Sequence, residues 1–309
     1  MSNITGPMVK ALRDKTGAGM MDCKSALTET GGDMEAAIDW LRKKGLSKAA
    51  KKAGRVAAEG LIGIAVGGDA GALVEVNAET DFVARNDQFK DFVKQTAEIA
   101  LQEAGDLDKL LKKPMNGGAS VEQTLTEMVA KIGENMSVRR AVLLGVSEGV
   151  VASYVHNAAS PELGKIGVLI AVKSLADKTK LAALGKQLAM HVAAAAPLAL
   201  TPEHLSKEVV ERERAVQADI ARQSGKPENV IEKMMEGRMR KFYEESVLLS
   251  QTFVIDGETS IAKVLEKASK DLGAAVEIEG FVRFQVGEGI EKVDSDFADE
   301  VNKMAKKDE

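Results

Sequence analysis

VEVNAETDFVARN, residues 74–86, joins two periodicities, and the point where one gives way to the other decides the fold. Val74 and Val76 alternate with Glu75 and Asn77, the two-residue period of a half-buried strand. Thr80 and Asp81 favour helix starts, because their side-chain oxygens accept the backbone N–H groups that a first turn leaves unpaired. Phe82, Phe89, Phe92 and Val93 then recur at roughly helical spacing. A strand therefore passes into a helix through a turn at residues 80–83. Two readings of that turn stand side by side: Asp81 caps the helix while Phe82 packs back on the sheet, or both are presented to a partner.

Upstream, LIGIAV at 61–66 and ALVEV at 72–76 flank the glycine-rich segment 67–71, which reads as a β-hairpin. Downstream, a helical pattern over 121–133 leads to strand-like 137–145, with Val138, Ala141, Val142 and Leu143. The second half repeats this order. Glu148-Gly149 before VVASYV mirrors Glu59-Gly60 before LIGIAV, and GKIGVLIAV at 164–172 takes the place of residues 71–76. A last strand falls in 274–286, where Val276, Ile278, Phe281 and Val282 alternate imperfectly around Gly280. This is the pattern of a diverged internal duplication, and helices packed on modest sheets give an α+β class.

Residues 1–45 read as three short helices. Thr5 and Pro7 open the first, residues 16–19 separate it from the second, Gly31-Gly32 end the second, Asp33 caps the third and Gly45 closes it. Met34, Ala37, Ile38 and Leu41 give the third helix its apolar stripe. Residues 42–55 carry seven basic side chains and no acidic or aromatic one, which reads as a flexible, solvated linker rather than a nucleic-acid surface. Residues 177–245 are helical, broken at Pro197, Pro202 and Gly225-Lys226-Pro227. There Thr201-Pro202 reads as a helix start, with Leu205, Val209, Val216 and Ile220 on one face of an antiparallel hairpin. Phe297, Val301 and Met304 mark a docking helix in 294–307. The expected boundaries are 1–55 for the helical module and linker, 56–145 and 146–286 for two core subdomains, an insertion at about 177–245 in the second, and 287–309 for a C-terminal module.

With 309 residues and 45% hydrophobic content the chain can form two or three domains, and a net charge of −5 argues against a protein that coats nucleic acid. The lone Cys23 allows no internal disulfide, no secretory leader pattern opens the sequence, and no apolar run approaches the ~20 residues a membrane span needs. The expectation is a cytoplasmic protein without a membrane partner. Catalytic constellations are missing from the sequence as well. His156, His191 and His204 have no metal-ligand spacing, Gly17-Ala18-Gly19 follows no strand, and no nucleophile elbow is present. Neither an enzyme nor a cofactor or metal site is expected.

Seven blocks, in order along the chain, resemble the bacterial elongation factor Ts family: LRDKTGAGMMDCKSAL at 12–27, KAAKKAGRVAAEG at 48–60, TDFVARN at 80–86, KIGENMSVRR at 131–140, MHVAA at 190–194, QSGKPENVIEKMMEGRM at 223–239 and GFVRFQVGEGIEK at 280–292. The resemblance implies a guanine-nucleotide exchange factor for the GTPase elongation factor Tu. Its fold would comprise a UBA-like three-helix module, two duplicated antiparallel-sheet subdomains with flanking helices, an inserted helical hairpin and a C-terminal docking helix. It implies that Thr80, Asp81, Phe82 and Val83 form a wedge that dislocates the GTPase's magnesium, with Phe82 in an apolar pocket and Asp81 in polar contact. Further partner contacts fall on Arg13, Met20 and Met21, on His156 near the phosphate loop, and on His191 with residues 192–196. Read alone, His156 is equally a strand-end histidine, the methionines are core, and the alanines allow tight helix packing. The loop at 157–163 is longer than the resemblance leads one to expect. The complex would be a heterodimer or a two-to-two heterotetramer. A nucleic-acid accessory protein and an assembly scaffold are the rival classes.

Overall fold

The computed structural model describes residues 4–16, 18–116, 118–223 and 227–291. Gly17, Gly225 and Lys226 of the expected helix break, and the docking helix expected at 294–307 lie outside the described residues. In chain order the elements are α1 (Gly6–Thr16), α2 (Met20–Glu29), α3 (Met34–Ala50), β1 (Glu59–Gly67), β2 (Ala70–Ala78), α4 (Asp81–Arg85), α5 (Asp87–Gln102), α6 (Leu107–Lys112), α7 (Val121–Ile132) and β3 (Met136–Gly145). There follow β4 (Gly149–Ser160), β5 (Leu163–Lys173), α8 (Lys178–Ala195), α9 (Lys207–Arg222), α10 (Glu228–Ser246), α11 (Ile261–Leu272) and β6 (Glu277–Gln285). This is the α+β class. Among the described residues, no helix is long and apolar enough to cross a membrane.

Gly60 and Gly149 explain why a Glu-Gly pair recurs in the sequence. They start β1 and β4 at φ 131° and 145°, and a Cβ on either would lie 2.0 Å from a carbonyl oxygen, that of Val76 or of Val172. The two halves match further. β1 pairs with β2 and β2 with β3; β4 pairs with β5 and β5 with β6, all antiparallel. Each middle strand shifts register against its outer neighbour one step from that valine, between Glu75 and Val76 and between Ala171 and Val172. The halves join into one six-stranded sheet where β1 meets β5, through Ile62↔Gly164 and Gly63↔Leu163.

Alternation along the strands then builds three cores. Val74, Phe89, Phe92 and Val121 belong to the first half, where α5 covers the sheet; Ile170, Leu181, Leu188 and Ile261 belong to the second, under α8 and α11. Ile62, Ile64, Leu73, Val151, Leu169 and Phe284 form a third on the opposite sheet face, drawn from both halves.

Several expectations change. The third helix does not close at Gly45, and the basic run is helical as far as Ala50. Gly45 works by close approach instead: a Cβ there would lie 3.0 Å from Cβ of Ala130, so its absence lets α3 lie against α7. The helix after Thr80 is split at Asn86, whose side chain accepts the N–H groups of Gln88 and Phe89 and so starts α5 afresh. Residues 157–160 are strand rather than loop, which leaves a tight turn at Pro161-Glu162. Helix α8 packs on β4 and β5, so the projecting hairpin is α9 with α10 alone. Thr201-Pro202 opens only a short 3-10 turn, and α9 starts after Ser206, whose hydroxyl accepts the N–H of Val209. Within the expected stripe Leu205 is buried, while Val209, Val216 and Ile220 are exposed. Helix α11 lies where the sequence reading places no element, although Ser260, apolar residues at 261, 264, 265 and 268, and Gly273 at φ 70° mark its course.

Candidate functional site

Phe82 is 74% exposed, while the next residue, Val83, is 4% exposed and packs in the first core. The reading in which Phe82 returns to the sheet is therefore excluded. It projects from the first turn of α4, a five-residue helix at the end of β2. Asp81 does not cap that helix with its side chain; its carboxylate pairs with Arg85 one turn on, at 2.7 Å. The Arg85 guanidinium also lies 5.9 Å from the Phe82 ring centroid, so one cation borders both projecting side chains.

Thr80 departs from the capping role its type suggests. It occupies the N-cap position, but its side chain accepts no helical N–H. Its hydroxyl donates to the Glu134 carboxylate at 2.8 Å, and its backbone N–H donates to the same group at 3.0 Å. In return the Glu79 carboxylate accepts the N–H of Asn135, and it pairs with Arg55 at 3.4 Å. The side-chain amide of Asn135 donates to the Arg55 carbonyl at 2.7 Å, and Lys52 donates to the Gly133 carbonyl. Segments 79–80, 133–135 and 52–55 are thus laced together, which ties the basic run to the base of the wedge. Glu79, Glu134 and Asn135 are not legible from sequence, since Thr80 with Glu134 and Glu79 with Asn135 lie more than fifty positions apart and leave no local pattern, whereas Arg85, one turn after Asp81, carries a local signal that the sequence reading misses.

One layer deeper, Glu75 is fully buried on β2. Its carboxylate accepts from Arg140 Nε at 2.6 Å, Arg139 Nη1 at 3.2 Å, the Asn77 amide at 3.0 Å and the Gly287 N–H at 2.8 Å. Burial alone would raise its pKa, but the Gly287 N–H, the Asn77 amide and the Arg140 guanidinium together hold it below the usual carboxylate value.

The remaining expected residues fall into separate places. Arg13 is exposed on α1, and Met20 and Met21 are 59% and 72% exposed at the start of α2, so these methionines are not core. His156 lies within β4 opposite Ile166, not at the strand's end; it is exposed and shares a 3.3 Å hydrogen bond with the Tyr154 hydroxyl. Its neighbour Asn157, at φ 50°, lines a cleft of about 190 Å³ with Asp81, Ala84, Arg85 and Lys165, so the wedge helix and the His156 strand flank one recess.

His191, expected at a partner contact, is instead fully buried. Its Nε2 lies 2.9 Å from the Gln251 side-chain oxygen, and its Nδ1 accepts the Val254 N–H at 3.3 Å. Burial holds its pKa below the ordinary histidine value, with the Gln251 contact opposing in part. The surface beside it is carried by Val254, Ile255 and Leu198, which are 47%, 50% and 62% exposed. Among the described residues, no group of three or more His, Cys, Asp or Glu side chains is placed to hold a metal ion.

Residues 79–288 match the family model described as "Elongation factor TS". The whole chain is similar to curated proteins named elongation factor Ts. It is 62% identical over 309 residues to that of Rhodospirillum rubrum, covering 99% of this chain and 100% of the relative. Over 306 residues it is 60% identical to that of Rhodospirillum centenum, and over 307 residues 61% identical to that of Parvibaculum lavamentivorans, with 99% of this chain and 100% of the relative covered in each case.

Proposed function

The chain belongs to the elongation factor Ts family, and we propose that it serves in translation elongation as the guanine-nucleotide exchange factor of elongation factor Tu, in the cytoplasm and without covalent chemistry of its own. The observation that carries this reading is a large apolar side chain, Phe82, held almost wholly in solvent by a buried neighbour and a laced turn. An exposed aromatic on a fixed support suits interface anchoring, because it buries a large area while freezing few rotors.

Exchange follows from differential binding. A factor that binds the nucleotide-free GTPase more tightly than the nucleotide-bound form must, by linkage, be weakened by nucleotide to the same degree. In this reading Phe82 enters an apolar pocket next to the GTPase's magnesium site and Asp81 trades its Arg85 partner for polar groups of the displaced segment. Thr80 and Val83 hold the turn behind them. Arg13, Met20 and Met21 supply a second contact from the helical module, and His156, the neighbour of cleft-lining Asn157, a third. His191 acts indirectly, by holding the segment that presents Val254 and Ile255. No nucleic acid is needed. Stoichiometry, one-to-one or two-to-two, is a question for light scattering, with the exposed Val209, Val216 and Ile220 on the hairpin as the surface a second complex would cover.

The test is release of a fluorescent guanine nucleotide from elongation factor Tu in magnesium buffer. Acceleration by this protein supports the assignment. No acceleration, together with self-association through the hairpin, would establish the scaffold reading in its place.

A further inference from the structure

A five-residue helix forms too few hydrogen bonds to hold its own direction, so α4 is set by the packing of Val83 and Ala84 in the first core and by the way residues 79–80 lead into it. Both of those residues are tied to one segment, 133–135, between α7 and β3. The tie is reciprocal. Glu134 receives the Thr80 N–H and hydroxyl, while Glu79 receives the Asn135 N–H. With Val83 and Ala84 anchoring the buried face, a single attachment at residues 79–80 would still let the exposed side of α4 tilt, whereas two attachments running in opposite senses fix both separation and twist. Thr80 forgoes an N-cap bond to make its share of the contact. Charge-assisted bonds to a carboxylate are also shorter and stronger than neutral ones, which suits a joint that must resist a load.

We propose that Glu134 is a positioning residue for nucleotide exchange: through Thr80 it holds the wedge at the angle at which Phe82 meets the GTPase. The inference rests on the exchange reading above. Glu134 is half-buried and turned toward Thr80, so it works by aiming Phe82 rather than by contact of its own.

The experiment measures the maximal rate of nucleotide release and the factor concentration giving half of it. The proteins are the full chain and its Glu134→Ala, Thr80→Val, Phe82→Ala and Phe82→Ala/Glu134→Ala variants. Glu134→Ala lowers the maximal rate on the order of tenfold, the scale at which small misplacements tell, with the half-saturating concentration little changed because the helical module still docks. Thr80→Val removes only the hydroxyl and lowers the rate in the same sense, which keeps the test open if Glu134→Ala fails to fold. In the double variant the loss equals that of Phe82→Ala alone, since a wedge without its ring cannot be mis-aimed. A general loss of stability would instead multiply with the Phe82 effect, and that product would overturn the proposal. So would wild-type rates in both Glu134→Ala and Thr80→Val, or a raised half-saturating concentration at an unchanged maximal rate. If the unaltered protein accelerates nothing, the exchange reading itself fails. Acceleration that Phe82→Ala slows and that neither Glu134→Ala nor Thr80→Val slows sinks this inference alone.

Discussion

Replacing Glu75 by alanine removes the acceptor on which four donors converge. The Gly287 N–H and the Asn77 side-chain amide are left without it, at about 1–2 kcal/mol each for a buried donor stripped of its partner. Arg139 and Arg140 are about one-third exposed, 30% and 31%, so they can turn to water, and their share is nearer ~0.5–1 kcal/mol each. The total is about 3–6 kcal/mol, which overlaps the roughly 3–5 kcal/mol expected when one member of a buried ionic pair is deleted. Glu75→Gln retains one acceptor oxygen but no charge and should cost roughly half as much. Urea unfolding at neutral pH reads both values from the shift in midpoint at a common slope.

The pH dependence gives an internal check. The folded-state pKa of Glu75 lies below its unfolded value, so its stabilisation is fully present above about pH 4.3 and is lost as pH falls from there through the folded value. The gap between wild type and Glu75→Gln should therefore be full at neutral pH and narrow in acid. An alanine cost under ~1 kcal/mol, or a glutamine gap that stays constant or widens in acid, would refute the reasoning.

Phe82→Ala should leave folding stability within about 0.5 kcal/mol, because the ring is already in solvent, yet weaken binding to nucleotide-free elongation factor Tu by ~2 kcal/mol or more. Thermal melts beside titration calorimetry separate the two effects, and equal losses in both would count against the wedge. Gly60→Ala and Gly149→Ala should each destabilise by about 3 kcal/mol or more, measured by urea unfolding, because each puts a Cβ against a backbone oxygen at a glycine-only φ. His191 is held neutral by burial, so the unfolded chain takes up a proton below about pH 6.5 that the folded one refuses. Stability should fall from about pH 7 toward the folded-state value, and His191→Leu should flatten that slope.

The strands are legible because the apolar runs, the hairpin glycines and the repeated Glu-Gly pair are all local signals, but β2 is not the half-buried strand its alternation suggests: Glu75 and Asn77 are buried along with Val74 and Val76. Asp33 likewise caps α3 as its residue type implies, and α7 ends at Gly133 where its helical pattern does. The errors arise where a residue type serves two purposes. Gly45 has the composition of a C-cap, but close approach to Ala130 governs it. Thr80 has that of an N-cap, but a carboxylate 54 positions away takes its hydroxyl. For His191, the resemblance marked an important position without telling whether the ring reaches the surface. The exposure of Phe82 was equally hidden, since a phenylalanine in the first turn of a helix has the same spacing whether it faces the sheet or the solvent.

The third core also bears on how this chain comes into being. Ile62, Ile64 and Leu73 are complete as a sheet face once the first hairpin forms, but their covering partners, Leu169 and Phe284, emerge far later in synthesis. Because β1 and β5 touch over so short a register, little backbone pairing can bring the halves together early, and loop closure over such a span is slow. The growing chain must therefore carry an open apolar surface through most of its own translation, and any chaperone that attends it should be found on that face.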